Sequence, residues 1–271
     1  MAAPPSWTPY SDLNQVLQEL VARVSHAIPR QLVGIYLQGS FAVGDFDEHS
    51  DADFIVVTER ELEPPEVGLL QSCHRDLYDL ESSWAKHLEG SYFPKALLAT
   101  TEHRGVPLWF LDHGASSLVL SDHCNTAVVR TVLRDCGVAL VGPPLASLVA
   151  AVPVSELRSE IRAAILEWGH EILRDPTPYR NRHHQGYVVL KYCRMLHALS
   201  TGTVKSKRTG ANWATTELDP AWASLIERAW HVRPDPFARV KQPPDSADFN
   251  STLAFVQYCM DYSVALPPGA A

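Results

Sequence analysis

The sequence predicts an α+β protein of two domains, an α/β domain over residues 1–150 and an all-α helical domain over residues 151–271. Three observations predict it. Apolar runs at residues 32–37 and 54–57 flank a turn-rich segment, which reads as strand, tight turn, strand. From Pro153 onward, apolar positions recur at the three- and four-residue spacing of helices. Between these regimes, Pro143-Pro144 opens a connection, which puts the boundary near residue 150. Strands first and helices later is the pattern of such a fold.

The elements follow in order. Ser11 to Ile28 is an amphipathic helix, with Leu13, Val16, Leu17, Leu20, Val21 and Val24 on one stripe and Ser11 able to cap its start. Leu32 to Gln38 and Asp53 to Thr58 are strands. Pro64-Pro65 breaks the chain before a helix whose stripe runs through Val67, Leu70, Leu77, Leu80, Trp84 and Leu88. Residues 88–100 and 106–111 read as extended. Thr126 to Cys136 reads as a helix stopped by Gly137. In the second domain, helices are expected over 154–173, 185–199, 210–216, 221–230 and 247–264, with 267–271 a frayed tail.

Composition narrows the class. A hydrophobic fraction of 46% with 20% charged residues indicates a globular core. Five cysteines at irregular spacing, without C-x-x-C, read as reduced thiols, and no segment reads as a signal or membrane span, so a soluble cytoplasmic protein is expected. The net charge of −8 is uneven: residues 1–150 hold 19 acids against 9 bases, and the remainder 12 against 14. No acid lies between Asp175 and Glu217, a window that holds Arg180, Arg182, Lys191, Arg194, Lys205, Lys207 and Arg208. An acidic half that holds metal and a basic window that holds a polyphosphate are expected to face each other across a cleft. The net charge and the lack of a basic-aromatic surface argue against a nucleic-acid partner.

The chemistry concentrates in Gly39-Ser40, ten residues, then Asp51-Ala52-Asp53 at the head of the second apolar run. Two carboxylates at i and i+2 of a strand share a face. Beside a glycine that lets phosphate approach the backbone and a serine hydroxyl, they suit Mg²⁺ and phosphate. Asp51 and Asp53 are the candidate metal ligands, and Gly39 and Ser40 the candidate phosphate-binding residues. Gly44 serves the turn, and Asp45, Asp47 and Glu48 read as loop acids. The twelve histidines include adjacent pairs such as His183-His184, and those pairs lack the ligand spacing of structural zinc.

These residues resemble the nucleotidyltransferase superfamily of DNA polymerase beta, and within it the aminoglycoside adenylyltransferases of the streptomycin/spectinomycin type. Thr201-Gly202-Thr203-Val204-Lys205-Ser206-Lys207 with Ala211-Asn212-Trp213-Ala214 is similar to their T-G-x-(I/V)-x-x-K…A-x-W-A segment, and Gly142-Pro143-Pro144 to their G-P element. The resemblance implies an N-terminal nucleotidyltransferase domain with a mixed sheet and a C-terminal helical bundle. It implies Mg²⁺-dependent transfer of AMP from ATP to a hydroxyl of a small molecule, an aminoglycoside among the options, with ATP between the domains. It implies Lys207, with Lys205 second, as the cation on the ATP phosphates. It also implies a third carboxylate, for which Glu89 is the first candidate and Asp112 the competitor, as metal ligand, general base or both. Trp213 is expected in the core. A monomer is expected. The alternative is a catalytically weak or inactive nucleotide-binding protein of the same fold.

Overall fold

The computed structural model describes residues 6–48, 50–233 and 239–266. The tail expected to fray at 267–271 lies outside the described residues. The chain divides into two compact units, Met1–Val152 and Pro153–Ala271.

The first unit is built on a six-stranded mixed sheet. Its strands are β1 (Leu32–Leu37), β2 (Ala52–Thr58), β3 (Leu88–Pro94), β4 (Leu108–Leu111), β5 (Leu118–Ser121) and β6 (Val138–Val141), in the order β5-β4-β3-β2-β1-β6. β2 and β3 run parallel, and the other neighbouring pairs run antiparallel. A parallel pair needs a crossover, which the helix α3 (Pro64–Tyr78) supplies. Both faces of the central strands are buried, and alternate residues sort between two clusters. Ile35, Leu37, Phe54 and Val56 pack with Leu17 of α1 (Ser11–Ala27) and with Leu70 and Leu77 of α3. Tyr36, Ile55, Val57 and Phe93 pack on the opposite face, with Leu133 of α5 (Ala127–Cys136). The two-residue period of a strand therefore assigns positions 53 and 89 to the α5 face, at the head of the two parallel strands. Between β1 and β2 lies the five-residue helix α2 (Gly39–Val43). The Gly142-Pro143 segment is tied to β1 by the Tyr36 hydroxyl, which donates to the Pro143 carbonyl at 2.8 Å.

Several expected boundaries differ. Ser11 is the first helical residue rather than the cap, and its hydroxyl donates to Asp12 at 3.1 Å. α3 ends at Tyr78, whereas the apolar stripe continues through Leu80, Trp84 and Leu88. Trp84 and Leu88 enter the same core from a 3-10 turn and from β3, so the stripe reports burial beyond the helix. The start of α3 is fixed by Glu63, whose backbone N–H donates to the Glu66 carboxylate at 2.8 Å, with Pro64 at the first position. The extended run from residue 88 stops at Pro94, where the short helix α4 (Lys95–Leu98) follows, and β4 begins at Leu108. β5 and β6, four residues each, are strands not anticipated from the sequence.

The second unit is a helical bundle of α6 (Val154–Arg174), α7 (Arg182–Thr201), α8 (Lys207–Glu217), α9 (Ala223–His231) and α10 (Ser246–Ala265). α7 touches the other four. It is buried almost all round, through Val188, Val189, Leu190, Tyr192, Cys193 and Leu196, as a central helix must be. The Asn181 side chain caps it by accepting from the His184 N–H at 2.9 Å, and Gly202, at φ 70°, ends it in the left-handed region. Among the described residues no helix is long and apolar enough to cross a membrane. All five cysteines are free.

Candidate active site

The site begins with backbone register. Asp53 of β2 pairs with Glu89 of β3, and Ala52 with Leu88, in the parallel ladder. Adjacent strands lie about 4.8 Å apart, so these two carboxylates rise side by side from neighbouring strands. One residue further in, Gly90 lies so close to Phe54 that a Cβ there would meet the Phe54 carbonyl oxygen at 2.3 Å. Asp51 stands two residues ahead of Asp53, just before β2. A turn delivers it: the Ser50 N–H donates to the Asp47 carbonyl at 3.1 Å, and the Asp47 N–H donates to the Ser50 hydroxyl at 2.9 Å. Asp47 thus shapes the approach to the site.

Gly39 closes the other side. Its φ of 62° lies in the left-handed region, and a Cβ there would fall 1.8 Å from Asp53 Oδ2. The Gln38 N–H donates to the Asp53 carbonyl at 2.9 Å and holds the two segments together. Ser40 follows, its Oγ buried with no hydrogen-bond partner. Gly44, at φ 74°, ends α2, as its turn role requires.

Glu89 is mostly covered, with 16% of its side chain exposed, and lies 3.5 Å from His123 Nε2. Asp112 is exposed at the end of β4, and its carboxylate accepts from the His113 N–H at 2.9 Å. Of the two candidates for a third carboxylate, Glu89 is therefore the register partner of Asp53, and Asp112 caps a turn one strand further out. The Cys124 thiol reports the convergence of these charges. Burial pushes it up to about 12, and the charges of Glu89, Asp53 and Asp112 act in the same direction, with the nearby Ser91 opposing.

Two histidines complete the cluster, and sequence reasoning missed both. His113 Nδ1 lies 2.7 Å from Asp51 Oδ1, and His87 Nδ1 lies 3.8 Å from the same oxygen. The close approach of Asp51 raises the His113 pKa above its ordinary value; burial opposes this, and the charges of Asp51, Glu89 and Asp112 add to it. Spacing along the chain speaks only for neighbours in sequence, whereas these rings come from the heads or tails of separate strands. His87 did carry one signal: it stands two residues before Glu89, the same-face spacing.

In the second unit, Lys207 opens α8 as its first residue, with Ser206 capping by accepting the Thr209 N–H at 3.0 Å. Its ammonium lies 5.4 Å from the centre of the Tyr187 ring. Lys205 is exposed in the preceding loop, where its carbonyl accepts from Arg194 Nε at 2.8 Å. Trp213 is partly buried, edge-on to His197.

A mixed sheet carrying paired carboxylates beside a close-approach glycine, followed by a helical bundle, defines a nucleotidyltransferase. Residues 13–90, which contain Gly39, Ser40, Asp51, Asp53 and Glu89, match the family model described as the nucleotidyltransferase domain. Residues 147–251 match the aminoglycoside adenylyltransferase C-terminal domain. The chain carries a nucleotidyltransferase domain followed by a C-terminal domain of the aminoglycoside adenylyltransferase kind, and is an adenylyltransferase-like enzyme. Among its relatives, spectinomycin 9-adenylyltransferase of Staphylococcus aureus is 25% identical over 233 residues, covering 80% of this chain and 83% of the relative. An aminoglycoside (3'') (9) adenylyltransferase of Escherichia coli is 23% identical over 235 residues, covering 81% and 84%. The fold also matches a crystal structure of a spectinomycin adenyltransferase from Enterococcus faecialis with ATP and spectinomycin. There the TM-score is 0.68 at 15% identity, over 91% of this chain and 98% of that one.

Proposed function

We propose that this chain transfers AMP from ATP to a hydroxyl of a small aminoglycoside-type acceptor, with release of pyrophosphate and dependence on Mg²⁺. The observation that carries the proposal is the in-register pair Asp53 and Glu89, with Asp51 two residues ahead and Gly39 against Asp53. The donor set fits the ion. Three carboxylates supply hard oxygen ligands, few enough to leave room for water and phosphate oxygens, which is the usual magnesium environment. The buried Ser40 hydroxyl, which lacks a protein partner, is suited to a phosphate oxygen. Asp51, Asp53 and Glu89 would hold Mg²⁺, which when bound would offset the charge of the triphosphate.

The chain's own residues do the rest. Gly39 and Ser40 hold the phosphate against the backbone. Glu89 takes the proton of the acceptor hydroxyl, whose oxygen forms the bond to the α-phosphorus as the bond to pyrophosphate breaks. Lys207, with Lys205 second, is assigned to the charge of the polyphosphate, on the strength of the T-G-x-V…A-N-W-A segment within the matched C-terminal region. Positioning and charge stabilisation provide the rate.

The test is pyrophosphate release, with mass detection of an acceptor–AMP adduct, over a panel of hydroxylated amines that begins with spectinomycin and streptomycin. The wild-type chain is expected to adenylylate at least one member, and Asp53→Asn to lose about 100-fold or more while melting cooperatively. Undiminished transfer by Asp53→Asn rejects the site. ATP binding without turnover on any acceptor selects the inactive nucleotide-binding alternative.

A further inference from the structure

We infer that Asp51, His87 and His113 form a binding site for a borderline divalent transition-metal ion, of the zinc and cobalt class, that shares Asp51 with the all-carboxylate set. One ligand atom from each residue lies within 4.8 Å of the others. Asp51 Oδ1 is 2.7 Å from His113 Nδ1 and 3.8 Å from His87 Nδ1, and the two imidazole rings stand 5.0 Å apart between centroids. Ligands about 2.0–2.2 Å from a tetrahedral ion stand about 3.3 Å from one another. The observed separations of Asp51 Oδ1 from the two imidazole nitrogens bracket that value, so an ion among these atoms needs only small side-chain adjustments.

The backbone holds the three positions in place. The Ala52 N–H donates to the His87 carbonyl at 2.8 Å, which ties the head of β2 to the head of β3 beside Asp51. The Ala115 N–H donates to the Asp112 carbonyl at 3.0 Å and closes the turn that holds His113. The side chains are 44%, 20% and 21% exposed for Asp51, His87 and His113, covered enough to restrict their rotamers and open enough for an ion and a water to enter.

Ligand chemistry chooses the ion. Imidazole nitrogens suit zinc, cobalt, nickel or copper, whereas magnesium takes oxygen. Two imidazoles and a carboxylate form the three-ligand set that leaves a coordination position open. The site itself stands on its own geometry; competition between the two kinds of ion for Asp51 rests on the assignment of Asp51, Asp53 and Glu89 to magnesium. A transition-metal ion here draws Asp51 away from that set.

The test uses the full chain stripped of metal by chelation and titrated with Co²⁺, whose visible ligand-field bands report nitrogen and oxygen coordination. Saturating bands that Zn²⁺ abolishes are expected. His87→Gln and His113→Gln, each verified by thermal melting, are expected to weaken Co²⁺ binding by about 100-fold or more. Asp53→Asn is expected to keep the bands while losing transfer, so failure of the transfer assignment is distinguishable from failure of this site. Excess Mg²⁺ is expected to lower the apparent Co²⁺ affinity. Absence of saturable bands in the wild-type chain, or undiminished binding by a folded His87→Gln/His113→Gln double variant, overturns the site; indifference to Mg²⁺ overturns the sharing of Asp51.

Discussion

Replacing Gly39 by alanine tests the backbone contact that positions Asp53. The perturbation has two parts. An alanine at φ 62° incurs the left-handed penalty, about 1–2 kcal/mol. Its Cβ would also lie 1.8 Å from Oδ2 and 2.6 Å from Cγ of Asp53, so the carboxylate must rotate away, at roughly 0.5–1.5 kcal/mol for a strained rotamer. Together these predict a loss of about 1.5–3.5 kcal/mol, or a fall of roughly 3–14 °C in the melting temperature of a unit this size. Displacing a carboxylate by about 1 Å costs transfer on the order of 100-fold. Gly44 is the control. It sits at φ 74° with nothing within 4 Å of the point where a Cβ would stand, so Gly44→Ala meets the backbone penalty without touching Asp53. Scanning calorimetry and pyrophosphate release on both variants separate the terms. Both should melt lower, and only Gly39→Ala should lose transfer on this scale. Wild-type turnover by Gly39→Ala, or an equal loss in Gly44→Ala, refutes the reasoning.

Glu89→Gln should abolish most transfer yet leave the metal-free chain as stable as wild type or up to about 1 kcal/mol more stable, because like charges on paired strand positions repel; a calorimetric comparison in chelator decides it, and a melting temperature lowered by several degrees would contradict it. His74, 1% exposed and bonded to the Tyr92 hydroxyl at 2.7 Å, is pushed down to about 4 by burial. Its folded pKa lies below the unfolded value near 6.5, so the unfolded chain takes up the proton first as pH falls. Stability should therefore drop between about pH 6.5 and pH 4, by at most about 3 kcal/mol, and His74→Gln should flatten that part of the denaturation profile. An unchanged profile in His74→Gln would remove the assignment.

The central strands and the longer helices were legible in the sequence because their burial is one- or two-sided over enough residues to leave a period. β1 and β2 are apolar on both faces, and α7 is apolar almost all round, so each announces itself. β5 and β6 are too short to carry a period, and Trp84 and Leu88 extend a helical stripe from elements that are not helical. Local chemistry explains the other shifts. Lys207 opens α8 because Ser206 caps it, and Ser11 falls one residue inside α1. For the site, Gly39, Ser40, Asp51 and Asp53 were readable from spacing because they lie within fifteen residues of one another. The pairing of Glu89 with Asp53 and the gathering of His87 and His113 around Asp51 depend on strand register across long connections. Residue types could nominate these groups, and only the ladder brings them together.

The contact of Gly90 with Phe54 reaches beyond packing. A slip of one residue between β2 and β3 would turn Glu89 to the opposite side of the sheet. The main chain admits no side chain at position 90, immediately behind the acidic pair, so the strands cannot shift to accommodate one. The spacing of the two carboxylates is thereby written into the peptide skeleton. Substitutions elsewhere in the unit leave the gauge between Asp53 and Glu89 constant.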